Sequence, residues 1–498
     1  MAVSRRVAIV AAVVSVMGLL TCLPSQAQPR QHARSRLHWA RCASADLRAV
    51  GARCATLRVP LDYSRPAGAS ITLALARVRH SVPASRYKGV MLTNPGGPGS
   101  AGRYLAGIGA YVPRNAGAAY DWIGIDPRGV GASRPAVSCN THYFTFNRPN
   151  YDPSRPANLQ AWRSRTKRFA AACGRNNGAI LEHMTTADSA RDLNAIRMAL
   201  GAQKINFYGF SYGTYLGQVY ATLFPTHIAR MVLDSNVNPT RIWYGANLDQ
   251  DRAFQRNSTI WFRWLARYNA VYHLGSTEHA VEQRWYRIRS RLAKHADHGI
   301  GPDEWTDVFL DAEYYQSTWL NLAHWFAGYV HRHDYKAIRS AYAAAHNEKE
   351  FAAYNAVQCT DAQWPKSWHT WAHDNSRVNK KAPFETWANA WFNAPCLYWP
   401  APAHPPVTIT GNGKLGALLI DETNDAATPY SGSLEVRNLF RRSRLIALPG
   451  GTSHANSLFG DACLDNRIAA YLKSGRLPPR KPGTTADAKC APLPRPRP

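Results

Sequence analysis

Short apolar runs alternate with helical patterns at both ends of the chain, and that alternation predicts an architecture. Residues 71–78, 89–94 and 121–126 read as strands, compact apolar runs bounded by Gly, Pro and polar residues. Residues 185–202 read as a helix, because Thr185 and Asp188 stand at capping-box spacing and Leu193, Ile196 and Leu200 share one face. A strand at 204–208, a helix at 212–224 and a strand at 230–234 follow. After a long interval the rhythm resumes, with strands at 416–420 and 445–448 and helices at 431–442 and 465–474. Strand and helix in alternation predict an α/β core, a mostly parallel central sheet with helices on both faces.

The interval 240–405 is helical in rhythm throughout and holds 13 of the 16 Trp. A helical insertion that interrupts a parallel core after a strand predicts a lid over the C-terminal edge of that core. Most of its rings are expected to pack the lid itself, and a few to line a substrate pocket. The expected organisation is therefore a signal peptide at 1–27, the core in two parts at 28–239 and 406–476, the lid at 240–405, and an extended Pro/Arg-rich tail at 477–498 tied by Cys490.

Composition narrows the function classes. With 45% hydrophobic and 18% charged residues over 498 positions, the chain is globular, neither disordered nor collagen-like. Lys and Arg outnumber Asp and Glu by 60 to 32, a net charge of +28 that favours anionic partners. The positive charges are scattered, the densest cluster being Arg441-Arg442-Ser443-Arg444, and no zinc-finger spacing or ribonucleoprotein motif accompanies them. A nucleic-acid partner is not expected; loose association with anionic cell-wall polymers is.

At the N-terminus, Arg5-Arg6, the apolar run 7–20 and Ser25-Gln26-Ala27 have the three parts of a secretory signal, with Gln28 as the expected mature start. The apolar run is shorter than the ~20 residues a bilayer requires, so a transmembrane anchor is not expected. Nine Cys are present and Cys22 leaves with the signal. The remaining Cys42, Cys54, Cys139, Cys173, Cys359, Cys396, Cys463 and Cys490 form an even set, which in an oxidising compartment reads as four disulfides. Neighbour pairing, 42–54, 139–173, 359–396 and 463–490, is the expected pattern, since each bridge closes a modest loop within one region. A thiol nucleophile has no unpaired Cys to supply it.

The chemistry concentrates in three loops. Gly209-Phe210-Ser211-Tyr212-Gly213 fits G-x-S-x-G between a strand and a helix, the context in which a tight turn pushes a serine hydroxyl out of a sheet edge. A serine hydroxyl needs a base, and the base needs an orienting acid. Asp425 lies just past the strand at 416–420, with Asp421 as its rival nearer the strand. His454 follows the strand at 445–448 in the turn Pro449-Gly450-Gly451-Thr452-Ser453-His454. The order Ser211, Asp425, His454 is that of the α/β-hydrolase fold. Asn94-Pro95-Gly96-Gly97-Pro98-Gly99 follows another strand and can aim backbone N–H groups at an oxyanion; Gly97 with Tyr212 is the expected pair, and Gly96 is nearly as good. A phosphate-binding reading of the same loop lacks the following Lys-Ser/Thr.

Taken together, NPGGPGSAG at 94–102, GIDPRGVGAS at 124–133, GFSYGTYLG at 209–217, the acid in NDAATP at 424–429 and the late His454 resemble the secreted tripeptidyl-aminopeptidase and proline-iminopeptidase-like α/β hydrolases. The likeness runs from about Trp39 to Cys490, with paired Cys in similar places. It implies a serine exopeptidase that removes short N-terminal pieces from peptides, with Ser211 as nucleophile, Asp425 as acid and His454 as base. The chain departs from the family pattern at Ser453-His454-Ala455, where Gly-His-Gly is usual, and at Ala426, where Pro is common. Relatives with this core also act as esterases or N-acyl amidohydrolases on small molecules, which is the alternative function. A non-catalytic wall-binding protein is the reading from outside the enzyme class.

An aminopeptidase must recognise a free ammonium, which in a low-dielectric site calls for a carboxylate. Among the acids of the lid, Asp303, Glu304, Asp307, Asp311, Glu313 and Asp361, the candidates for that role are Glu313 and Asp361. Arg128 is expected to brace its loop by hydrogen bonds. His369 with His373, and His331 with His333, lack a third ligand at suitable spacing, so neither a metal nor a cofactor is expected.

Overall fold

The central apolar runs are buried on both sides because they pair with one another in a single sheet. The computed structural model describes residues 37–498, so the signal peptide expected at 1–27 lies outside the described residues. The described residues form ten strands: β1 (Ala40–Arg41), β2 (Arg53–Pro60), β3 (Ser70–Val78), β4 (Val90–Asn94), β5 (Asp121–Asp126), β6 (Ile205–Phe210), β7 (Ile228–Asp234), β8 (Leu418–Glu422), β9 (Arg444–Leu448) and β10 (Ala488–Lys489). Their order across the sheet is β1-β2-β3-β5-β4-β6-β7-β8-β9-β10. Pairing is antiparallel from β1 to β5 and parallel from β5 through β10. Every residue of β4, β5, β6 and β8 is buried, as strands covered on both faces must be. Alternation assigns the faces: Val90, Leu92, Leu445 and Ala447 enter one apolar layer, whereas Met91, Ile446 and Leu448 enter the other.

The strands β1, β2 and β10 are absent from the sequence prediction. In β2 only Ala55, Leu57 and Val59 are buried, between exposed residues such as Thr56 and Arg58, so no continuous apolar run announces it. β10 is a two-residue strand inside the Pro/Arg-rich tail, set against β9 by the pairings Ala488 with Ile446 and Lys489 with Ala447. The tail is thus part of the sheet.

Between β7 and β8 the chain is helical. Its first stretch builds a separate core in which Trp261, Trp264, Trp285, Trp305 and Trp319 are buried together. From the helix Glu348–Asp361 onward, Phe351, Trp364, Trp371 and Trp391 pack instead into the main core under the sheet. The stretch expected as one lid therefore serves two cores, and its tryptophans are chiefly packing residues. Disulfides join Cys42 to Cys54, Cys139 to Cys173, Cys359 to Cys396 and Cys463 to Cys490. Among the described residues no helix is long and apolar enough to cross a membrane.

Two ion pairs, one fully and one partly buried, set the loops at the C-terminal edge. Arg128 makes a bidentate contact with Asp192 at 2.8 and 2.7 Å and donates to the carbonyls of Leu61 and His183. Asp126, at the end of β5, accepts from the amides of Gly102 and Ala132 at 3.0 and 2.9 Å and from the Arg103 guanidinium. It thereby ties the glycine loop after β4 to the turn after β5.

Candidate active site

Ser211 follows β6 with φ 56° and ψ −127°, a backbone conformation costly for any residue with a Cβ. The turn is held open by small neighbours. A Cβ at Gly209 would stand 2.5 Å from the Gly213 carbonyl oxygen, and one at Gly213 would stand 2.6 Å from that of Asn94. The Ser211 amide donates to the Asp234 carbonyl at 3.0 Å, and its carbonyl accepts from the Thr214 hydroxyl at 2.6 Å. The helix Tyr212–Leu223 begins immediately afterwards, so the serine sits at the partially positive end of a helix.

Sheet register brings the glycine loop to this turn. β4 and β6 are neighbours with Asn94 opposite Gly209, and a Cβ on Gly96 would lie 2.7 Å from the Ser211 Cβ. The Gly96 amide is already engaged, donating to Asn94 Oδ1 at 3.0 Å. The amides of Gly97 and Tyr212 make no hydrogen bond among the described residues, and both residues line one cavity with Ser211. Of the two glycines weighed for the oxyanion role, Gly97 is the one with a free donor.

The candidate acid and base meet across the ends of β8 and β9. His454 Nδ1 lies 2.8 Å from Asp425 Oδ2 and 3.1 Å from Oδ1, with both side chains buried. The Thr428 amide and hydroxyl each donate to Asp425 at 3.0 Å, which fixes the carboxylate plane. Burial works against protonating His454, but the Asp425 charge outweighs it, and the imidazole pKa is raised above its ordinary value. Asp421, the rival acid, turns to the Ser433 hydroxyl at 2.5 Å, and burial pushes its carboxyl well up.

The turn that carries His454 is gripped from several sides. Glu422 accepts from the Ser453 amide at 2.7 Å, Ser235 Oγ from the Ala455 amide at 2.7 Å, and Asp234 from the Ser457 amide at 2.8 Å. Ala455 adopts φ 53°, the left-handed region that glycine enters without strain.

Ser211 and His454 line the same cavity of about 440 Å³, together with Gly97, Tyr212, Phe254, Tyr314 and Tyr354. Among the described residues no hydrogen bond joins the serine hydroxyl to the imidazole. Of the 13 insertion tryptophans, Trp243 reaches this cavity.

The ammonium-binding candidates fare differently. Asp361 does not line the cavity. It accepts from the Thr186 amide and hydroxyl at 2.9 and 2.6 Å and from Trp243 Nε1 at 3.3 Å, so all its bonds go to the fold; burial holds its carboxyl up at about 6. Glu313 also stands behind the cavity wall, fully buried, and neither of its oxygens has a hydrogen-bond partner. The wall itself carries acids that sequence reasoning missed, Asp249, Glu350 and Glu385, and of these three Glu385 is the buried one, with Oε2 equally unpartnered. Burial first, and then the charge of Glu385, pushes the Glu313 carboxyl well up; burial chiefly does the same to Glu385. The available signal was its isolation: in APFETWANAWF at 382–392 it is the single charge. Among the described residues no group of three His, Cys, Asp or Glu is placed to hold a metal ion.

The strand order, the serine turn between β6 and its helix, and the His454–Asp425 pair beyond β8 and β9 have their counterpart in known families. Residues 89–379 match the family described as alpha/beta hydrolase fold, and residues 382–490 match the one described as TAP-like protein. The chain belongs to the α/β-hydrolase family and is an enzyme of the hydrolase class. It is 42% identical over 483 residues to the tripeptidyl aminopeptidase of Streptomyces lividans, covering 94% of this chain and 88% of that one. It is 30% identical to two proteins of Mycobacterium tuberculosis. One is serine protease Hip1, over 490 residues and 91% of each chain; the other is carboxylesterase B, over 471 residues, 89% of this chain and 86% of that one.

Proposed function

We propose that this chain is an exported serine exopeptidase of the tripeptidyl-aminopeptidase kind, cleaving peptide bonds near a free N-terminus through an acyl-enzyme on Ser211. In this reading His454 takes the Ser211 proton as the oxygen attacks the scissile carbonyl. The Gly97 and Tyr212 amides receive the oxyanion, and Asp425 holds the imidazolium. The tetrahedral intermediate collapses as His454 returns the proton to the leaving amine. A water then repeats the sequence on the ester, with His454 again as base. The Ser211–His454 hydrogen bond forms as substrate enters, a tightening common to hydrolases whose free-state catalytic bonds are long.

The observation that carries the peptidase reading is the buried acid on the cavity wall. Glu385 lines the same space as Ser211 and His454 and has a buried oxygen without a partner, backed by Glu313 with two more. A buried carboxylate without a cation is unfavourable, and a substrate ammonium supplies one. Burial makes each acid hold its proton above the ordinary carboxyl range, and release of the Glu385 proton on binding an ammonium fits its raised pKa. The roughly 440 Å³ of space suits a few residues of peptide. Export is supported by the four disulfides, which persist in oxidising compartments, and by the basic-apolar-small pattern over 1–27. The net charge of +28 supports loose contact with anionic wall polymers.

The test compares tripeptidyl anilides with free and N-acetylated termini. The free form is expected to be turned over at least about 100-fold more efficiently, as loss of a charge-assisted contact in a closed site implies. Equal or better hydrolysis of the acetylated form favours the esterase or N-acyl amidohydrolase reading, which the relative named carboxylesterase B keeps in view.

A further inference from the structure

The C-terminal segment does more than close the sheet. After β10 the Cys490 amide donates to the Ala447 carbonyl at 3.0 Å, and the Cys463–Cys490 disulfide anchors the chain to the helix Ala462–Ser474. The segment then passes the turn that carries His454 at close range. A Cβ on Gly451 would come 2.9 Å from the Pro492 Cβ and 2.2 Å from Glu422 Oε2. From there it crosses onto the helical insertion. Gln316 Nε2 donates to the carbonyls of Leu493 and Pro494 at 2.9 and 3.3 Å, Trp264 Nε1 donates to that of Pro496 at 3.0 Å, and the Arg495 guanidinium lies 5.7 Å from the Trp319 ring centre.

The insertion segment so held is the one that touches the proposed base. The Gln316 amide donates to Ser453 Oγ at 3.3 Å, and the His454 amide donates to the Tyr314 carbonyl at 2.8 Å. Asn257 adds a third link, donating to the carbonyls of Glu313 and Thr452. Gln316 is buried and does not line the cavity, so it has no contact with substrate. Its backbone faces the His454 turn while its side chain grips the passing tail.

We propose that residues 490–496 form a strap that clamps segment 311–319 of the insertion against the His454 turn, with Gln316 as the positioning residue through which the strap acts. The tail carbonyls that accept from Gln316 and Trp264 belong to a Pro-rich stretch, extended and with few amides of its own to satisfy them. The strap is covalently fixed at its core end by Cys490 and held at its insertion end by hydrogen bonds and one cation–π contact. Its removal leaves the sheet and the serine turn intact and loosens the imidazole, which must hold its orientation for proton transfer. This inference rests on the reading of His454 as the base only for its kinetic part.

The test uses two full-fold variants. Gln316→Met keeps the side-chain volume and removes the donors, and a chain shortened to end at Ala491 keeps the disulfide and removes the strap. Amide hydrogen exchange is read at 311–319 and 452–455, alongside kcat and KM for a tripeptidyl anilide. Both variants are expected to exchange faster at those two segments, while β4, β6 and β7 stay as protected as in the parent. Two neutral hydrogen bonds correspond to about a tenfold fall in kcat, with KM changed by less than about twofold. A purely structural tail would lower the unfolding temperature and leave the exchange at 452–455 and the kcat of the folded fraction unchanged. That result, or unchanged exchange at both segments in either folded variant, overturns the strap. Exchange needs no substrate, so absent turnover in the parent chain contradicts the exopeptidase reading and leaves the strap to be decided by exchange alone.

Discussion

Tyr314 and His454 are joined twice. The His454 amide donates to the Tyr314 carbonyl at 2.8 Å, and the phenol ring stands edge-on to the imidazole, 81° between planes and 5.8 Å between centres. The insertion therefore supplies both backbone and side-chain support to the residue proposed as base. Tyr314→Phe keeps the ring and should retain most of the activity. Tyr314→Ala removes the aromatic contact and should lower kcat about tenfold, on the usual worth of an aromatic pair. Steady-state kinetics on the two variants checks the contrast, and equal activity in both would detach the ring from catalysis.

Backbone strain at Ser211 predicts a trade of activity against stability. At φ 56° and ψ −127° a Cβ is unfavourable, so Ser211→Gly should abolish turnover and raise the unfolding free energy by about 1 kcal/mol or more. Ser211→Ala keeps the strain and should lower turnover about 10⁶-fold without added stability. Denaturant unfolding of the two variants side by side is the measurement. A less stable Gly variant would mean that the turn is not strained.

The same argument applies at Ala455, whose φ of 53° places an alanine in left-handed backbone beside the proposed base. Ala455→Gly is expected to stabilise by about 1 kcal/mol with little change in KM. A loss of stability would contradict it.

The direction of the pH dependence follows from the site. His454 must be neutral to accept a proton, and its pKa is raised above the ordinary imidazole value because Asp425 outweighs burial. Glu385 must be anionic to hold an ammonium, and burial pushes its pKa well up. Both groups lose protons as pH rises, so kcat/KM for a free-amine peptide should climb on the acid side and fall again as the substrate ammonium, of ordinary pKa about 8, loses its proton. An acetylated ester, which depends on His454 alone, should show a shallower rise. Stability runs the other way. Glu313, Glu385 and Asp421 hold in the folded state protons that the unfolded chain releases above ordinary carboxyl pKa values, so unfolding free energy falls as pH rises through their folded pKa values. Glu313→Gln should flatten that fall, and a profile no flatter than the parent's would rule the group out.

Glu385→Gln tests the proposed recognition acid by itself. It is expected to cost about 100-fold in kcat/KM for the free-amine tripeptide and about twofold or less for an acetylated ester. A uniform loss on both would assign Glu385 to the fold.

Much of this was legible in the sequence because the relevant loops are short and local. Gly209 to Gly213 declares a turn by its own residues, and the apolar runs beside it are buried on both faces, so strand and motif reinforce each other. The edges were not legible. β2 alternates apolar and polar residues, and β10 is two residues stabilised entirely by β9. Distant pairing was equally hidden. Asp361 is spent on Thr186 and Trp243, partners 175 and 118 positions away, and nothing local reveals that. Glu385 carries no motif, and its proposed role depends on a cavity whose lining is drawn from between Pro95 and Ala455.

The central claim is that Ser211 forms the covalent intermediate. The most direct measurement is intact-protein and peptide mass spectrometry after treatment of the folded chain with a serine-directed fluorophosphonate. A single adduct on Ser211 is predicted, absent from Ser211→Ala and much slower to form in His454→Ala. A folded parent chain that takes up no adduct, or takes it up at another residue, would contradict the account.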